Sequence, residues 1–142
     1  VEKIVAAGHA LGNHSYDHPR FTRIPWSEQI KQIERTDRLL STFDGRTEHR
    51  FRPPSGQFNA AMLARFAAQR RNLAYWSYDS LDYQRKPLQQ MVDILRAHPP
   101  RAGDIVLMHD DSETTSRALA MLIPEWRAAG LQMLALPEVG NA

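Results

Sequence analysis

Two hydrophobic rhythms alternate along this chain, one with helical spacing and one of short continuous runs. Val1 to Ala7 reads as the end of a helix closed by Gly8. Ser27 is placed to cap a helix running through Thr42, with Ile30, Ile33 and Leu40 on one side and Gly45 just past its end. His49 to Arg52 is a short strand candidate stopped by Pro53-Pro54. Asn59 can cap a helix carrying Met62, Leu63, Phe66 and Ala67, which fall at i, i+3, i+4 spacing. Leu73 to Tyr78, rich in aromatics, reads as a strand. Pro87 starts a helix through His98 with Met91, Ile94 and Leu95 inward. Asp104 to His109 is a continuous apolar run, as expected of a parallel strand covered on both faces. Leu119, Leu122, Ile123 and Trp126 form a helical stripe ended by Gly130, and Leu131 to Leu136 supplies a last strand. This alternation predicts an α/β fold with a parallel sheet or barrel, and no repeat, linker or low-complexity tract interrupts it.

Composition narrows the function classes. The 142 residues suffice for one domain with a real core, taken here as residues 1–142, and are too few for two comfortable ones. Apolar residues make up 42% and charged residues 24%, as in an ordinary globular domain. Eighteen basic and 16 acidic residues leave a formal charge of +2, and the basic residues are scattered rather than gathered on one face, which argues against a nucleic-acid partner. There is no cysteine, so disulfides and thiolate metal sites are excluded. No apolar run approaches the roughly 20 residues of a membrane span. The start, Val1-Glu2-Lys3-Ile4, lacks an initiating methionine and reads as the middle of a helix, so the chain is expected to be part of a longer one, with any leader upstream.

Four short motifs could carry chemistry. In His14-Ser15-Tyr16-Asp17-His18, two imidazoles four residues apart would lie on one side of a helical turn, where both reach a single divalent ion. Neutral imidazole suits zinc above all, and also iron, nickel and copper. The pair alone leaves a second reading open, with one ring packed and one solvated. In Phe51-Arg52-Pro53-Pro54-Ser55-Gly56, two prolines and a glycine make a rigid turn able to present a backbone N–H to an oxyanion, with Arg52 able to hold a carboxylate. The plainer reading is a strand-to-helix turn with a solvated arginine. Asp79-Ser80-Leu81-Asp82-Tyr83 and Leu107-Met108-His109-Asp110 each follow an apolar strand, which is where α/β barrels place catalytic side chains. His109 beside carboxylates could act as a general acid, or be a surface histidine before a helix capped at Asp110-Asp111.

Taken in order, HSYDH, RPPSG, DSLDY and LMH resemble motifs two to five of the polysaccharide deacetylases of NodB-homology type, the fourth carbohydrate esterase family. Gly8 to Ser15 is similar to that family's approach to its metal motif, and the resemblance runs from Gly8 to about Leu136. It implies an irregular (β/α) barrel with parallel strands, lacking its first strand-helix unit here, and an active site at the C-terminal strand ends. It implies further that His14 and His18 are two of three ligands to a divalent metal, most naturally zinc. Arg52 would orient the catalytic base, and the backbone around Pro54 and Ser55 would help hold the oxyanion. Asp82 would tune and orient His109, the acid that protonates the leaving amine, while Tyr83 and Leu107 would line the acetyl pocket.

This sequence departs from the family pattern in places. Ser55 stands where an aromatic is usual, and Tyr83 where tryptophan is usual. The family's first motif, Thr-Phe-Asp-Asp-Gly, supplies the base and the third, carboxylate ligand, and is expected upstream of Val1. Thr42-Phe43-Asp44-Gly45 imitates it, but carries one aspartate, follows the histidines and ends a predicted helix. The implied activity is hydrolysis of N-acetyl, or O-acetyl, groups on an amino-sugar glycan, in a cell-envelope, periplasmic or secreted setting. A silent glycan- or metal-binding domain of the same fold is the rival. A metal-dependent amidohydrolase barrel is a weaker one, because it needs more histidine and carboxylate ligands than these strand ends offer.

Overall fold

The computed structural model describes residues 1–136, and every predicted helix forms. They are α1 (Glu2–Ala6), α2 (Trp26–Asp44), α3 (Ala60–Ala68), α4 (Leu88–Ala97) and α5 (Glu113–Ala128). The strands are far shorter than the apolar runs suggested. Only β1 (Tyr78–Asp79) and β2 (Val106–Leu107) pair over more than one residue, and they pair in parallel, Tyr78 with Val106 and Asp79 with Leu107. Asn13, Phe51 and Leu73 join through single parallel bridges. Every pairing among the described residues is parallel, as α/β alternation demands.

The chain divides into two compact units, one holding Val1–Tyr75 and the other Trp76–Leu134. In the first, Phe51 is the pivot. Its N–H donates to the Asn72 carbonyl and its carbonyl accepts from Ala74, while Asn13 donates to the Arg50 carbonyl and accepts from Arg52 N–H on the other side. The Phe51 ring lies 5.0 Å from Phe21 and 5.5 Å from Phe66, and Trp26 lies 5.5 Å from Phe66. With Ile33 and Met62 these rings make the first core.

Three expectations in this unit need correction. The α2 helix is entered through Pro25, whose carbonyl accepts from Glu28 and Gln29, and not through Ser27. Of the predicted α2 stripe only Ile33 is buried, beside the polar Gln29, Gln32, Thr36 and Asp37, because those side chains have hydrogen-bond partners to meet. Leu73 to Tyr78 is not one strand: it bridges at Leu73 and pairs again only from Tyr78. The α2 helix stops at Gly45, whose φ of +74° favours a residue without Cβ, so Thr42-Phe43-Asp44-Gly45 is a helix end, as its pattern suggested. The α3 helix begins at Asn59, whose side chain accepts from Met62 N–H.

In the second unit, α4 places Met91, Val92 and Leu95 against Ala118, Leu122 and Trp126 of α5. Burial of these six side chains is what holds the helix pair. Arg96 and Glu125 join at the surface at 2.6 Å. Ser112, not Asp110 or Asp111, caps α5, accepting from Thr115 N–H. The strand expected over Leu131 to Leu136 does not form. Leu131 packs on the core while Leu134 is 79% exposed, and among the described residues no segment pairs with this run in a ladder.

Candidate active site

The first unit carries the two histidines. Their backbone is not the helical turn expected from the spacing: Ser15 (φ 68°) and His18 (φ 53°) are both left-handed. The loop nonetheless brings the rings to 4.9 Å between centroids, their planes 72° apart. His14 Nδ1 lies 2.6 Å from the Arg52 carbonyl oxygen. A carbonyl can only accept, so Nδ1 carries the proton and Nε2 is the lone-pair nitrogen of the neutral ring. A second hydrogen bond of this kind is what fixes the tautomer of metal-binding imidazoles.

The loop is tied down at each residue between the rings. Ser15 N–H donates to Asn13 Oδ1, and His18 N–H donates to Ser15 Oγ. Tyr16 N–H and Asp17 N–H both donate to Gln32 Oε1, and Gln32 Nε2 returns a hydrogen bond to Asp17 Oδ2 at 3.0 Å. The Arg35 guanidinium lies 3.4 Å over the Tyr16 ring. Behind the loop, Asn13 Nδ2 donates to the Ile33 carbonyl and to Asp37 Oδ1. Asp37 also binds Arg71 at 2.9 Å and His49 Nδ1 at 3.1 Å, while His49 Nε2 faces Asp44 at 3.1 Å. No motif pointed to Gln32, Asp37, His49 or Arg71. Apart from His49 and Asp44, five residues apart, their side-chain partners are 12 to 34 residues away in sequence, and no local spacing encodes that.

Arg52 is half-buried, and that burial lowers its guanidinium from the ordinary value. Pro53 and Pro54 are buried, whereas Ser55 is exposed and left-handed at φ 56°. Gly56 N–H closes the turn on the Pro53 carbonyl.

The second unit carries the acid candidates. The Asp82 side chain is 1% exposed and that of His109 is 43% exposed. Asp82 Oδ1 sits 2.7 Å from His109 Nδ1, and Asp82 Oδ2 accepts from His109 N–H at 2.7 Å and Thr115 Oγ1 at 3.1 Å. Burial pushes the Asp82 carboxyl up. The hydrogen bonds from the His109 ring and backbone, the His109 charge and the Thr115 hydroxyl outweigh it and hold Asp82 below the usual carboxylate range. An ionised Asp82 accepts from Nδ1–H, which leaves Nε2 of the exposed ring as the proton-exchanging atom. Thr115, in the first turn of α5, was not legible as part of this site. The Tyr83 ring stands edge-on to His109 at 6.0 Å and is 53% exposed, and Leu107 is buried at the end of β2.

Among the described residues no group of three or more His, Cys, Asp and Glu side chains is arranged to hold a metal ion. The two imidazoles are a fitting but partial donor set for zinc, which takes four ligands. Asp17, the carboxylate between them in sequence, is engaged by Gln32.

The family model for polysaccharide deacetylases matches residues 1–76. The chain is 26% identical over 144 residues to a peptidoglycan-N-acetylglucosamine deacetylase of Bacillus cereus, covering 98% of this chain and 52% of that protein. A solved peptidoglycan N-acetylglucosamine deacetylase is 25% identical with a TM-score of 0.86, over 96% of this chain and 65% of that one. A pseudoenzyme of carbohydrate esterase family 4 from Bacillus anthracis is 27% identical with a TM-score of 0.79, over 92% of this chain and 46% of that one. The chain spans about half the length of the curated relatives it matches first.

Proposed function

This chain belongs to the polysaccharide deacetylase family, and from that premise we propose that it serves metal-dependent removal of N-acetyl groups from an amino-sugar glycan, peptidoglycan foremost. The observation that carries the reading is the Asp82–His109 pair, a buried carboxylate held on one nitrogen of an exposed ring. That arrangement leaves Nε2 to deliver a proton to the departing sugar amine. His14 and His18 would hold a divalent ion, zinc by the nature of the donors, whose chemistry is polarisation of an acyl carbonyl and activation of water. Arg52 would orient a carboxylate base, the turn at Pro54 and Ser55 would offer a backbone N–H to the oxyanion, and Tyr83 and Leu107 would bound the acetyl group. Such a substrate implies work at the cell envelope. Among the described residues no helix is long and apolar enough to cross a membrane.

The test is acetate release by the full gene product from N-acetylchitooligosaccharides and from peptidoglycan. His109→Ala is expected to lower turnover by roughly 10²–10⁴-fold, the worth of a positioned acid, without weakening zinc binding. Loss of zinc binding together with turnover would make His109 a ligand and sink the assignment, as would unchanged turnover. Likeness to a pseudoenzyme favours a second reading, a silent glycan-binding domain. Glycan binding with no acetate release from any N- or O-acetylated substrate would select it.

A further inference from the structure

We infer that Gln32 is a positioning residue for the His14–His18 pair, setting the geometry with which the two rings meet a metal. The inference rests on the proposed metal role of those histidines. Gln32 lies on α2 and is buried, with 8% of its surface exposed. Both ends of its amide are spent on the segment between the two histidines. Oε1 accepts from Tyr16 N–H at 3.1 Å and from Asp17 N–H at 2.9 Å, and Nε2 donates to Asp17 Oδ2 at 3.0 Å. Arg35, one turn along the same face, covers the Tyr16 ring. The segment needs such a clamp because Ser15 and His18 are held in left-handed backbone, a conformation that costs non-glycine residues and persists only when surroundings impose it. Without Gln32 the Tyr16 and Asp17 amides would turn to water, and the loop could relax to ordinary dihedrals that separate the rings. The amide also engages Asp17, the carboxylate nearest the pair in sequence.

Gln29 is the internal control. It lies on the same helix, is as buried at 5% exposure, and donates to the Phe21 and Ile24 carbonyls rather than to the segment between the histidines. The experiment compares Gln32→Met and Gln29→Met in the full gene product with two readouts. The first is the His14 and His18 ring resonances in nuclear magnetic resonance spectra without metal. The second is the affinity for zinc alone by calorimetry, with the His14→Ala/His18→Ala double variant as baseline. Gln32→Met is expected to shift both sets of ring resonances and to weaken zinc binding by roughly 10–100-fold, the usual effect of losing a group that orients a ligand. Gln29→Met is expected to leave both readouts at wild type. Ring resonances and zinc affinity unchanged in Gln32→Met would overturn the inference, as would equal changes in Gln29→Met. If zinc binds wild type no better than the double variant, the metal reading falls, and the ring resonances decide the inference by the same outcomes. Should Gln32→Met not fold, Gln32→Glu, which keeps the acceptor for both amides, replaces it, with smaller shifts expected and none overturning the inference.

Discussion

A carboxylate with 1% of its side chain exposed is tolerable only when its charge is answered, and Asp82 is answered by three donors. Its folded pKa lies below the unfolded value, so the unfolded chain binds the proton more tightly. The stability this contributes is complete above the ordinary carboxylate pKa of about 3.9 and is lost as pH falls through the lower folded value. Urea unfolding measured across pH 2–6 is therefore expected to show a steeper acid decline in wild type than in Asp82→Asn, which has no carboxyl to protonate (the range spans about two units on either side of that pKa). Parallel declines would remove the assignment. Asp37 makes the complementary case, because its neutralising partner is the guanidinium of Arg71, itself only 10% exposed. Arg71→Leu leaves a buried charge short of its counter-ion and is expected to cost about 3–5 kcal/mol in the same unfolding measurement.

At the scale of elements, the helices were legible because capping and periodicity are local. Asn59 caps α3 and Gly45 closes α2, as their positions in the sequence suggested. Asn59→Ala is expected to cost about 0.5–2 kcal/mol by loss of the acceptor for Met62 N–H. Gly45→Ala should cost about 1 kcal/mol or more, through backbone alone, since open space surrounds the site of the added Cβ. Leu122, fully buried between α4 and α5, carries the larger stake: Leu122→Ala is expected to lose about 2–5 kcal/mol, read from the midpoint and slope of a denaturant titration. The strands were less legible. An apolar run such as Leu131 to Leu136 signals only burial or pairing to come, and pairing depends on which distant segment arrives beside it.

For the molecule as a whole, the donor count matters most. As proposed ligands, the two imidazoles would form an incomplete site without a carboxylate beside them, so residues 1–142 assayed alone with zinc are expected to release little or no acetate from chitooligosaccharides. Robust release would show that another carboxylate, Asp17 or Asp44 first among them, joins the histidines, and would displace the ligand set proposed above.

The sequence by itself determined the α/β alternation, the end of α2 at Gly45, the cap of α3 at Asn59 and the family, because each is written within a few neighbouring residues. Only the tertiary structure decided that the histidine loop is left-handed rather than helical, and that Gln32 and Asn13 hold it. It also decided that Thr115 completes the surroundings of Asp82 and that Asp37 gathers Asn13, His49 and Arg71. These are hydrogen bonds between residues far apart in sequence. Their partners are chosen by which buried polar groups the fold brings together and obliges to pair, and no local pattern carries that choice.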